Sequence, residues 1–303
     1  MDTLATGRAG TPFSAGSGRP AAAVPPGACD CHVHVYDSTF PALPDARLTP
    51  PDAGAADYRL LQQRLGTDRV VLVTPSTYGA DNRCMLAGLA ALKGAGDNAR
   101  GVAVITGDEA GEELQRLADA GVRGVRVNLS MGVTHTVADL SRIAQRIAPL
   151  GWHLQLLMPP AMLAEHAGLL RSLPVDLVFD HFGRIAPADA SQAAHRLVLD
   201  LLACGRAWVK LSGGYIVSPL GTAEDPALHA LARSYLDAAP HRVLWGSDWP
   251  HATASAGRHA LPDDAHQIDC LAAWTGTAAQ LKAVLTDNPG ALYGFAPLSS
   301  ALS

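Results

Sequence analysis

CDCHVH, residues 29–34, follows a leader rich in alanine, glycine and proline and carries one acid and two histidines within six residues. Successive side chains of a β-strand point to opposite faces. On that alternation, one face would hold Asp30, His32, His34 and Tyr36, and the other Cys29, Cys31, Val33 and Val35. The pattern therefore predicts a strand whose polar face forms part of a site.

Seven more β-branched runs follow, with longer alanine- and leucine-rich stretches between them. The eight predicted strands begin at Ala28, Arg69, Arg100, Val122, His153, Asp176, Ala207 and Val243. Three of the intervening stretches have apolar residues at three- and four-residue spacing and are predicted helices, at 112–121, 140–151 and 191–205. Alternating strands and helices predict an α/β protein, here a single-domain (β/α)8 TIM barrel. A doubly wound open sheet is the rival fold, but the glycine-rich phosphate turn after its first strand is absent.

The composition excludes several classes of protein. The chain has 303 residues, 48% hydrophobic and 17% charged, which is typical of a globular protein. A net charge of −5 argues against a nucleic-acid partner, and no apolar run reaches the roughly 18 residues of a membrane span. Residues 1–27 lack the apolar core of a secretory signal and are predicted to be a flexible tail. Five scattered cysteines indicate reduced thiols and a cytoplasmic protein, and the oligomeric state stays open.

Four polar groups are predicted to meet at the carboxyl ends of the strands, where the active sites of TIM barrels lie. The first strand contributes His32 and His34, the sixth contributes His181 in FDHFGR, and the eighth contributes Asp248 in GSDWPH. The eighth strand closes the barrel against the first, so Asp248 is expected beside the histidine pair. Each residue taken singly is also compatible with a structural role, such as a buried imidazole or a helix cap. Their common position at strand ends predicts a catalytic site.

The same motifs carry a family resemblance. HVH, DHFGR and GSDWPH resemble the amidohydrolase superfamily, and TPSTYGADN, GVRGVRVNL and WVKLSGGY extend the likeness. More narrowly, the chain resembles the lactone-hydrolysing branch that includes 2-pyrone-4,6-dicarboxylate hydrolases and D-galactarolactone isomerases. The likeness runs from about Gly27 to Phe295. It implies a barrel domain over residues 28–296, followed by a C-terminal tail at 297–303.

The resemblance also implies a mechanism. Asp248 would be the general base that takes a proton from water, while His32, His34 and His181 would hold the water and polarise the lactone carbonyl. Many members of the superfamily bind zinc, so zinc is possible here, with His32, His34 and Asp248 as its ligands. The lumen face of the fourth strand carries Arg126, whose positive charge opposes a dication, and no convincing fourth ligand is evident. His153 begins its strand and is expected at the closed end of the barrel. A reaction without a metal cofactor is therefore the favoured interpretation.

Further polar residues near the strand ends are candidates for substrate binding. Arg126 and Asn128 share a strand face and suit the recognition of a carboxylate. The other candidates are Ser76, Tyr78, Gln155, Lys210, Ser212, Tyr215, Arg47 and Arg184. For Ser76 and Tyr78 a turn is an equal alternative, and for Lys210 a buried ion pair. Arg47 and Arg184 are lesser candidates, for which a solvated surface position is the alternative.

The chain departs from the pyrone dicarboxylate hydrolases at two places. Those proteins carry further arginines after the fourth-strand asparagine and after the tyrosine that follows the seventh strand. This chain has residues 129–132 (LSMG) at the first place and Ile216 at the second. The clamp for several carboxylates therefore looks thinner, which predicts a substrate with fewer charges or one that is bound differently.

The sequence thus predicts a cytoplasmic hydrolase that opens a small, carboxylated lactone from aromatic or sugar-acid breakdown. Lactone isomerisation is the nearest alternative, because the same base can direct a substrate hydroxyl rather than water onto the carbonyl. A zinc-dependent hydrolase or decarboxylase of the same superfamily is a third possibility. A binding protein that kept the pocket without catalysis is a fourth, although all four candidate catalytic groups are intact.

Overall fold

The computed structural model describes residues 10–93, 98–130, 134–189 and 192–297. Its centre is one sheet of eight parallel strands, and each strand pairs with the next one along the chain. The strands are β1 (Cys29–Val33), β2 (Arg69–Val73), β3 (Ala99–Ala103), β4 (Val122–Asn128), β5 (His153–Leu157), β6 (Leu177–Phe179), β7 (Ala207–Leu211) and β8 (Val243–Trp245). The eight predicted strands are confirmed, and so is the (β/α)8 barrel.

The sheet closes where the segment after β8 returns to β1. The backbone N–H of His34 donates to the carbonyl of Trp249 at 2.8 Å, and the N–H of Asp248 donates to the carbonyl of His32 at 2.9 Å. The same short segments carry two of the predicted catalytic histidines and the predicted base. Closure of the barrel is therefore what brings Asp248 beside His32 and His34.

Helices surround the strands. The α-helices are α1 (Ala55–Leu65), α2 (Arg83–Lys93), α3 (Gly111–Ala120), α4 (Asp139–Ile147), α5 (Pro160–Glu165), α6 (Ala167–Ser172), α7 (Ala193–Ala203), α8 (Gly214–Val217), α9 (Pro226–Ala238), α10 (Ala252–Ser255), α11 (Asp264–Thr275), α12 (Ala278–Lys282) and α13 (Asn288–Tyr293). The three helices predicted from periodicity correspond to α3, α4 and α7. Gly121 ends α3 in the left-handed conformation (φ 108°), which glycine adopts without a steric penalty.

Apolar side chains fill the lower part of the barrel lumen. This cluster comprises Cys29, Cys31, Val71, Val73, Val102, Val178, Trp208, Leu244, Tyr293 and Phe295. Tyr293 closes the amino-terminal end of the barrel, and its ring packs edge to face on His153 with centroids 5.4 Å apart. His153 therefore lies at the closed end, as predicted, and the polar residues are concentrated at the opposite, carboxyl end.

The alternation of side chains along β1 differs from the prediction. Cys29 and Cys31 belong to the lumen cluster, whereas Asp30 accepts a hydrogen bond from the Tyr58 hydroxyl of α1 at 3.1 Å and so faces the helices. The pairing of β1 with β2 shifts register between Asp30 and Val33. A bulge of this kind adds one residue to a strand and reverses the alternation beyond it. For that reason His32 and His34 still reach the lumen.

The segment before β1 packs on the barrel over its described part, residues 10–27. The Phe13 ring lies edge to face on Trp249 with centroids 5.7 Å apart, and the Trp249 indole N–H donates to the Pro12 carbonyl at 3.0 Å. Arg64 of α1 donates to the Gly18 carbonyl at 2.7 Å. This segment, predicted to be a flexible tail, thus contacts the residue that follows Asp248. The domain boundaries at residues 28 and 296 stay predictions.

Some of the predicted features lie outside the described residues: residues 1–9 and 298–303 of the two tails, and Met131 and Gly132 after β4. Within the part of the chain that is described, no helix is both long and apolar enough to cross a lipid bilayer.

Candidate active site

Asp248 stands at the centre of three imidazole rings at the carboxyl end of the barrel. Its Oδ1 lies 3.7 Å from His32 Nε2, 3.9 Å from His34 Nε2 and 3.8 Å from His181 Nε2. These separations exceed the length of a hydrogen bond, yet one water-sized species can touch all four atoms. The structure therefore brings together the four residues that the sequence predicted as catalytic.

Two of these residues have backbone conformations that are costly for side chains other than glycine. Asp248 has φ 70° and His181 has φ 49°, both in the left-handed region. Such positions typically cost about 1–3 kcal/mol each and persist where the surrounding structure enforces them. They turn the carboxylate and the imidazole inward immediately after β8 and β6. The local strain therefore coincides with the cluster around Asp248.

The hydrogen bonds fix the protonation pattern of His32 and His34. His34 Nδ1 lies 2.7 Å from the Val73 carbonyl, which can only accept, so this nitrogen carries the hydrogen. His32 Nδ1 lies 3.2 Å from Oδ1 of Asp180 and 3.5 Å from Lys210 Nζ, which can only donate, so this nitrogen accepts. Burial lowers the pKa of His34 to about 4 and that of His32 well below its usual value. Both rings are therefore neutral near pH 7. Their Nε2 atoms lie 3.3 Å apart, and Nε2 of His32 donates to the Nε2 lone pair of His34.

Asp180 is the main residue that sequence reasoning missed. It is fully buried beneath the histidines, where Arg126 Nε donates to its Oδ2 at 3.2 Å and Gln155 Nε2 donates to the same oxygen at 3.1 Å. Burial raises the pKa of Asp180, but His32, Lys210 and Arg126 outweigh that effect and hold it well below its usual value. Its place directly before His181 in FDHFGR was the available signal. In a regular strand, one of Asp180 and His181 would face the lumen and the other the helices, so alternation did not predict both in the site.

A cavity of about 260 Å³ opens above Asp248. Most of the predicted catalytic and binding residues line it: His34, Arg47, Ser76, Arg126, Asn128, His181, Arg184 and Asp248. Asn128 donates to the Ser76 hydroxyl at 2.7 Å, which joins the ends of β4 and β2 on one wall. Arg126 serves two purposes, because it reaches the cavity while its Nε holds Asp180.

Other predicted substrate-binding residues contact protein groups instead. The Tyr78 hydroxyl donates to the Asp37 carbonyl at 3.1 Å and accepts from the Asp37 N–H, so it secures the first long loop. Lys210 donates to Gln155 at 2.7 Å, below the cavity floor. Ser212 lies 2.9 Å from His181 Nδ1, and Tyr215 donates to Oδ2 of Asp248 at 3.1 Å. Five of the predicted substrate-binding residues thus orient other protein groups: Tyr78, Gln155, Lys210, Ser212 and Tyr215.

The cavity also includes Tyr36, which was predicted on the polar face of the first strand, and two residues that the sequence did not single out, Thr253 and Arg258. Arg258 lies in the long loop after β8 and donates to the Arg47 carbonyl at 3.1 Å. Nothing in its sequence context distinguished it from a surface arginine, because the two loops meet only in the folded chain.

The chemistry of the cluster permits a divalent metal ion. His32, His181 and Asp248 each offer a ligand atom, and these atoms lie within 4.8 Å of one another. Two imidazoles and a carboxylate are a ligand set that zinc accepts. This set differs from the predicted one, in which His34 stood in the place of His181. A dication bound there would polarise the substrate carbonyl.

The comparisons with known proteins agree with one another. The family model described as "Amidohydrolase" matches residues 29–295. The chain is 36% identical to the 2-pyrone-4,6-dicarboxylate hydrolase of Comamonas testosteroni over 91% of this chain and 92% of that protein. It is 29% identical to the D-galactarolactone isomerase of Agrobacterium fabrum, over 93% of this chain and 96% of that protein. A crystal structure of a probable 2-pyrone-4,6-dicarboxylic acid hydrolase from Acinetobacter baumannii, with citric acid bound, superposes with a TM-score of 0.77 at 26% identity, covering 89% of this chain and all of that one.

Proposed function

The chain belongs to the amidohydrolase family, and on that premise we propose that it hydrolyses a small anionic lactone, with Asp248 as the base that activates water. One observation carries the proposal: Oδ1 of Asp248 lies 3.7–3.9 Å from three imidazole nitrogens on the floor of a cavity at the carboxyl end of the barrel. A carboxylate beside neutral imidazoles provides a proton acceptor and a site for water in one place.

In the proposed reaction, one water hydrogen points to Oδ1 of Asp248 and the other to the Nε2 lone pair of His34. Asp248 takes the first hydrogen as the water oxygen bonds to the carbonyl carbon, and the carbonyl π electrons move onto its oxygen. Collapse of this intermediate breaks the ring C–O bond. The proton on Asp248 then passes to the departing ring oxygen, which leaves an open-chain hydroxy acid, or its keto tautomer when the lactone is an enol ester.

His181 suits the opposite role, that of a hydrogen-bond donor to the carbonyl oxygen. Burial lowers the pKa of His181, so the ring is neutral near pH 7 and carries one hydrogen. If the Ser212 hydroxyl donates to Nδ1 across the 2.9 Å contact, that hydrogen is on Nε2, which faces the cavity. A donor aimed at the developing oxyanion lowers the barrier, and the loss of such a donor typically costs about 10²–10³ in turnover.

The cavity supports a substrate that carries negative charge at more than one position. Arg126 lies near Asp248, whereas Arg47, Arg184 and Arg258 line the upper wall. Within the described residues, these three upper arginines form no ion pair with a carboxylate. The pyrone dicarboxylate hydrolases carry arginines after β4 and β7 that this chain lacks. Arginines from the loops would take their place here. A carboxylate or sulfonate on the ring would pair with them.

Arg258→Gln is expected to raise KM for 2-pyrone-4,6-dicarboxylate by about 5–10-fold, with kcat within about twofold, because one charge-assisted hydrogen bond at an exposed rim is lost. Steady-state kinetics test this. Arg171→Gln removes an exposed arginine that pairs with Asp200 on the outside of the barrel and is the matched control. An unchanged KM would remove Arg258 from the binding site.

We propose that the reaction needs no metal ion, because the charges of the cluster already balance. Arg126 and Lys210 both pair with Asp180, and Arg126 lines the cavity together with Asp248 and further arginines. A dication would leave an excess of buried positive charge, which is unfavourable unless anions compensate it. Dialysis against a chelator is expected to leave kcat/KM unchanged, and metal analysis should find well under one zinc per chain. A stoichiometric metal whose removal abolishes activity would refute this proposal and identify the ligands as His32, His181 and Asp248.

A panel of lactones assayed with a pH indicator tests the function, since each ester hydrolysed to an acid releases one proton. The panel should include 2-pyrone-4,6-dicarboxylate, D-galactarolactone, a monocarboxylated 2-pyrone and the neutral δ-valerolactone. Isomerisation is the second candidate, favoured by the 29% identity to the D-galactarolactone isomerase. It releases no acid, so NMR analysis of the product separates the two activities. Such substrates would place the enzyme in aromatic or sugar-acid breakdown.

A further inference from the structure

A chain of buried polar groups approaches Asp248 from the side opposite the histidines. The Tyr215 hydroxyl donates to Oδ2 of Asp248 at 3.1 Å, and the Tyr215 hydroxyl oxygen lies 3.4 Å from His251 Nδ1. His251 Nε2 lies 3.1 Å from Oδ2 of Asp264, the first residue of α11. His251 and Asp264 are completely buried, and Tyr215 is 3% exposed. The water-activation step described above uses none of these three residues.

The order of donors along this chain follows from the number of hydrogens. A hydroxyl has one hydrogen, and Tyr215 gives it to Asp248 because an ionised carboxylate can only accept. The Tyr215 oxygen then receives a hydrogen from His251 Nδ1, while Nε2 of the same ring donates to the carboxylate of Asp264. His251 is therefore an imidazolium that is paired with Asp264. Gln267 donates to the other oxygen of Asp264 at 2.8 Å, which completes the pairing of that carboxylate.

The surroundings of His251 agree with a positive charge. Burial alone lowers the pKa of His251, but Asp264 outweighs it, aided by Asp248 and Asp30, and the pKa is raised. The remaining ionisable neighbour is Tyr215, whose pKa burial raises well above its usual value, so it stays a neutral donor. His251 itself has φ 57°, a left-handed conformation that turns its ring toward Tyr215. A backbone held in this costly conformation is consistent with a functional constraint on the ring.

We propose that His251 and Asp264 are positioning residues that act through the Tyr215 hydroxyl to hold the Asp248 side chain in place, with Oδ1 turned toward the histidines. The inference rests on the proposed function, because it assumes that Asp248 is the base. The protein thereby occupies Oδ2 with a fixed donor, and Oδ1 alone is left to accept the proton of water. Orientation of the carboxylate affects turnover more than substrate affinity.

A double-mutant cycle in the full-length protein tests the connection, with the best lactone of the panel above as substrate. Tyr215→Phe, which keeps the ring and removes the hydroxyl, is expected to lower kcat by about 10–50-fold and to change KM by less than about twofold. Asp264→Asn alone is expected to lower kcat by about 5–20-fold, but by less than about twofold in the Tyr215→Phe background, because both changes break the same chain. Losses that multiply would overturn the proposal.

Tyr293→Phe is the matched control. It removes a buried tyrosine hydroxyl at the closed end of the barrel, where that hydroxyl has no hydrogen-bond partner among the described residues. Its kcat should stay within about twofold of the parent, because the deleted hydroxyl lies at the opposite end of the barrel from Asp248. A loss as large as that of Tyr215→Phe would mean that any buried hydroxyl deletion disturbs the barrel, and the positioning role would be rejected.

An NMR measurement decides the proton arrangement independently of activity. In protein labelled with ¹⁵N-histidine, the His251 resonances are assigned by their loss in His251→Gln. Both ring nitrogens of His251 should carry hydrogens at about pH 7.5, as expected for an imidazolium. A neutral ring would break the donor order and overturn the inference. If instead Asp248→Asn retained full activity, the proposed function would fail, while the NMR result would still stand on its own.

Discussion

Asp248→Asn is expected to lower kcat by about 10²–10⁴-fold, the range typical for the loss of a general base. The amide has nearly the same shape and can still accept the hydrogen bond from Tyr215, so the position of the side chain is retained. It cannot take a proton from water, and the attack on the carbonyl then has to proceed without assistance. KM should change little, because Asp248 contacts the water and not the anionic groups of the substrate. Steady-state kinetics with 2-pyrone-4,6-dicarboxylate measure both constants.

Asp225→Asn provides a matched control. Asp225 and Asp248 are both 5% exposed, and Asp225 caps α9 by accepting from the backbone N–H of Ala227 at 2.9 Å. Asparagine caps helices about as well as aspartate, so this variant should keep its fold and its activity. Circular dichroism and thermal melting should place both variants near the parent. Full activity in a folded Asp248→Asn protein would remove Asp248 from the mechanism.

Arg126→Met is expected to lower kcat/KM for a carboxylated lactone by about 30-fold or more. The side chain is buried (4% exposed) and reaches the cavity beside Asn128. Without the guanidinium, a carboxylate bound there has no partner, and losses of that kind run to roughly 2–5 kcal/mol. Methionine retains most of the length and packing of the arginine stem. Values of kcat/KM for the carboxylated and neutral lactones of the panel measure the effect.

The comparison between substrates separates recognition from indirect effects. Arg126 also donates to Asp180 at 3.2 Å, so the variant disturbs the support of His32 whatever substrate is bound. That part of the loss appears with δ-valerolactone, which has no carboxylate. The loss with the carboxylated substrate should be larger by about 10-fold or more, because it adds the missing charge pair. Equal losses for both substrates would mean that Arg126 positions the catalytic groups and does not recognise the carboxylate.

Much of the fold and part of the site were determined by the sequence itself. Eight β-branched runs with helical stretches between them predict a parallel barrel, because strand and helix periods are local properties of the chain. Polar residues at strand ends, such as His181 and Asp248, stand out against the apolar runs before them. Since the carboxyl ends of barrel strands meet at one face, their convergence follows from topology. Arg126 and Asn128, two residues apart on β4, were predictable for the same reason.

Other features depend on contacts that no local pattern encodes. The bulge in β1 reverses the alternation after Asp30, and only the pairing with β2 reveals it. Asp180 reaches the lumen beside His181 because the chain leaves β6 through a left-handed turn. Period-two reasoning assumes a regular strand, so it fails where the backbone departs from one.

The remaining features join residues that are far apart in the sequence. Arg258 and Arg47 meet 211 positions apart, and residues 10–27 pack against the segment after β8. The chain from Asp264 through His251 to Tyr215 and Asp248 likewise connects α11 with the ends of β7 and β8. Arg258 and Asp264 have ordinary sequence contexts, in which a surface arginine and a helix-capping aspartate are the simplest interpretations. The sequence by itself determined which groups lie at the strand ends. The closure of the barrel and the contacts between its loops decided which of these groups form hydrogen bonds and ion pairs with one another.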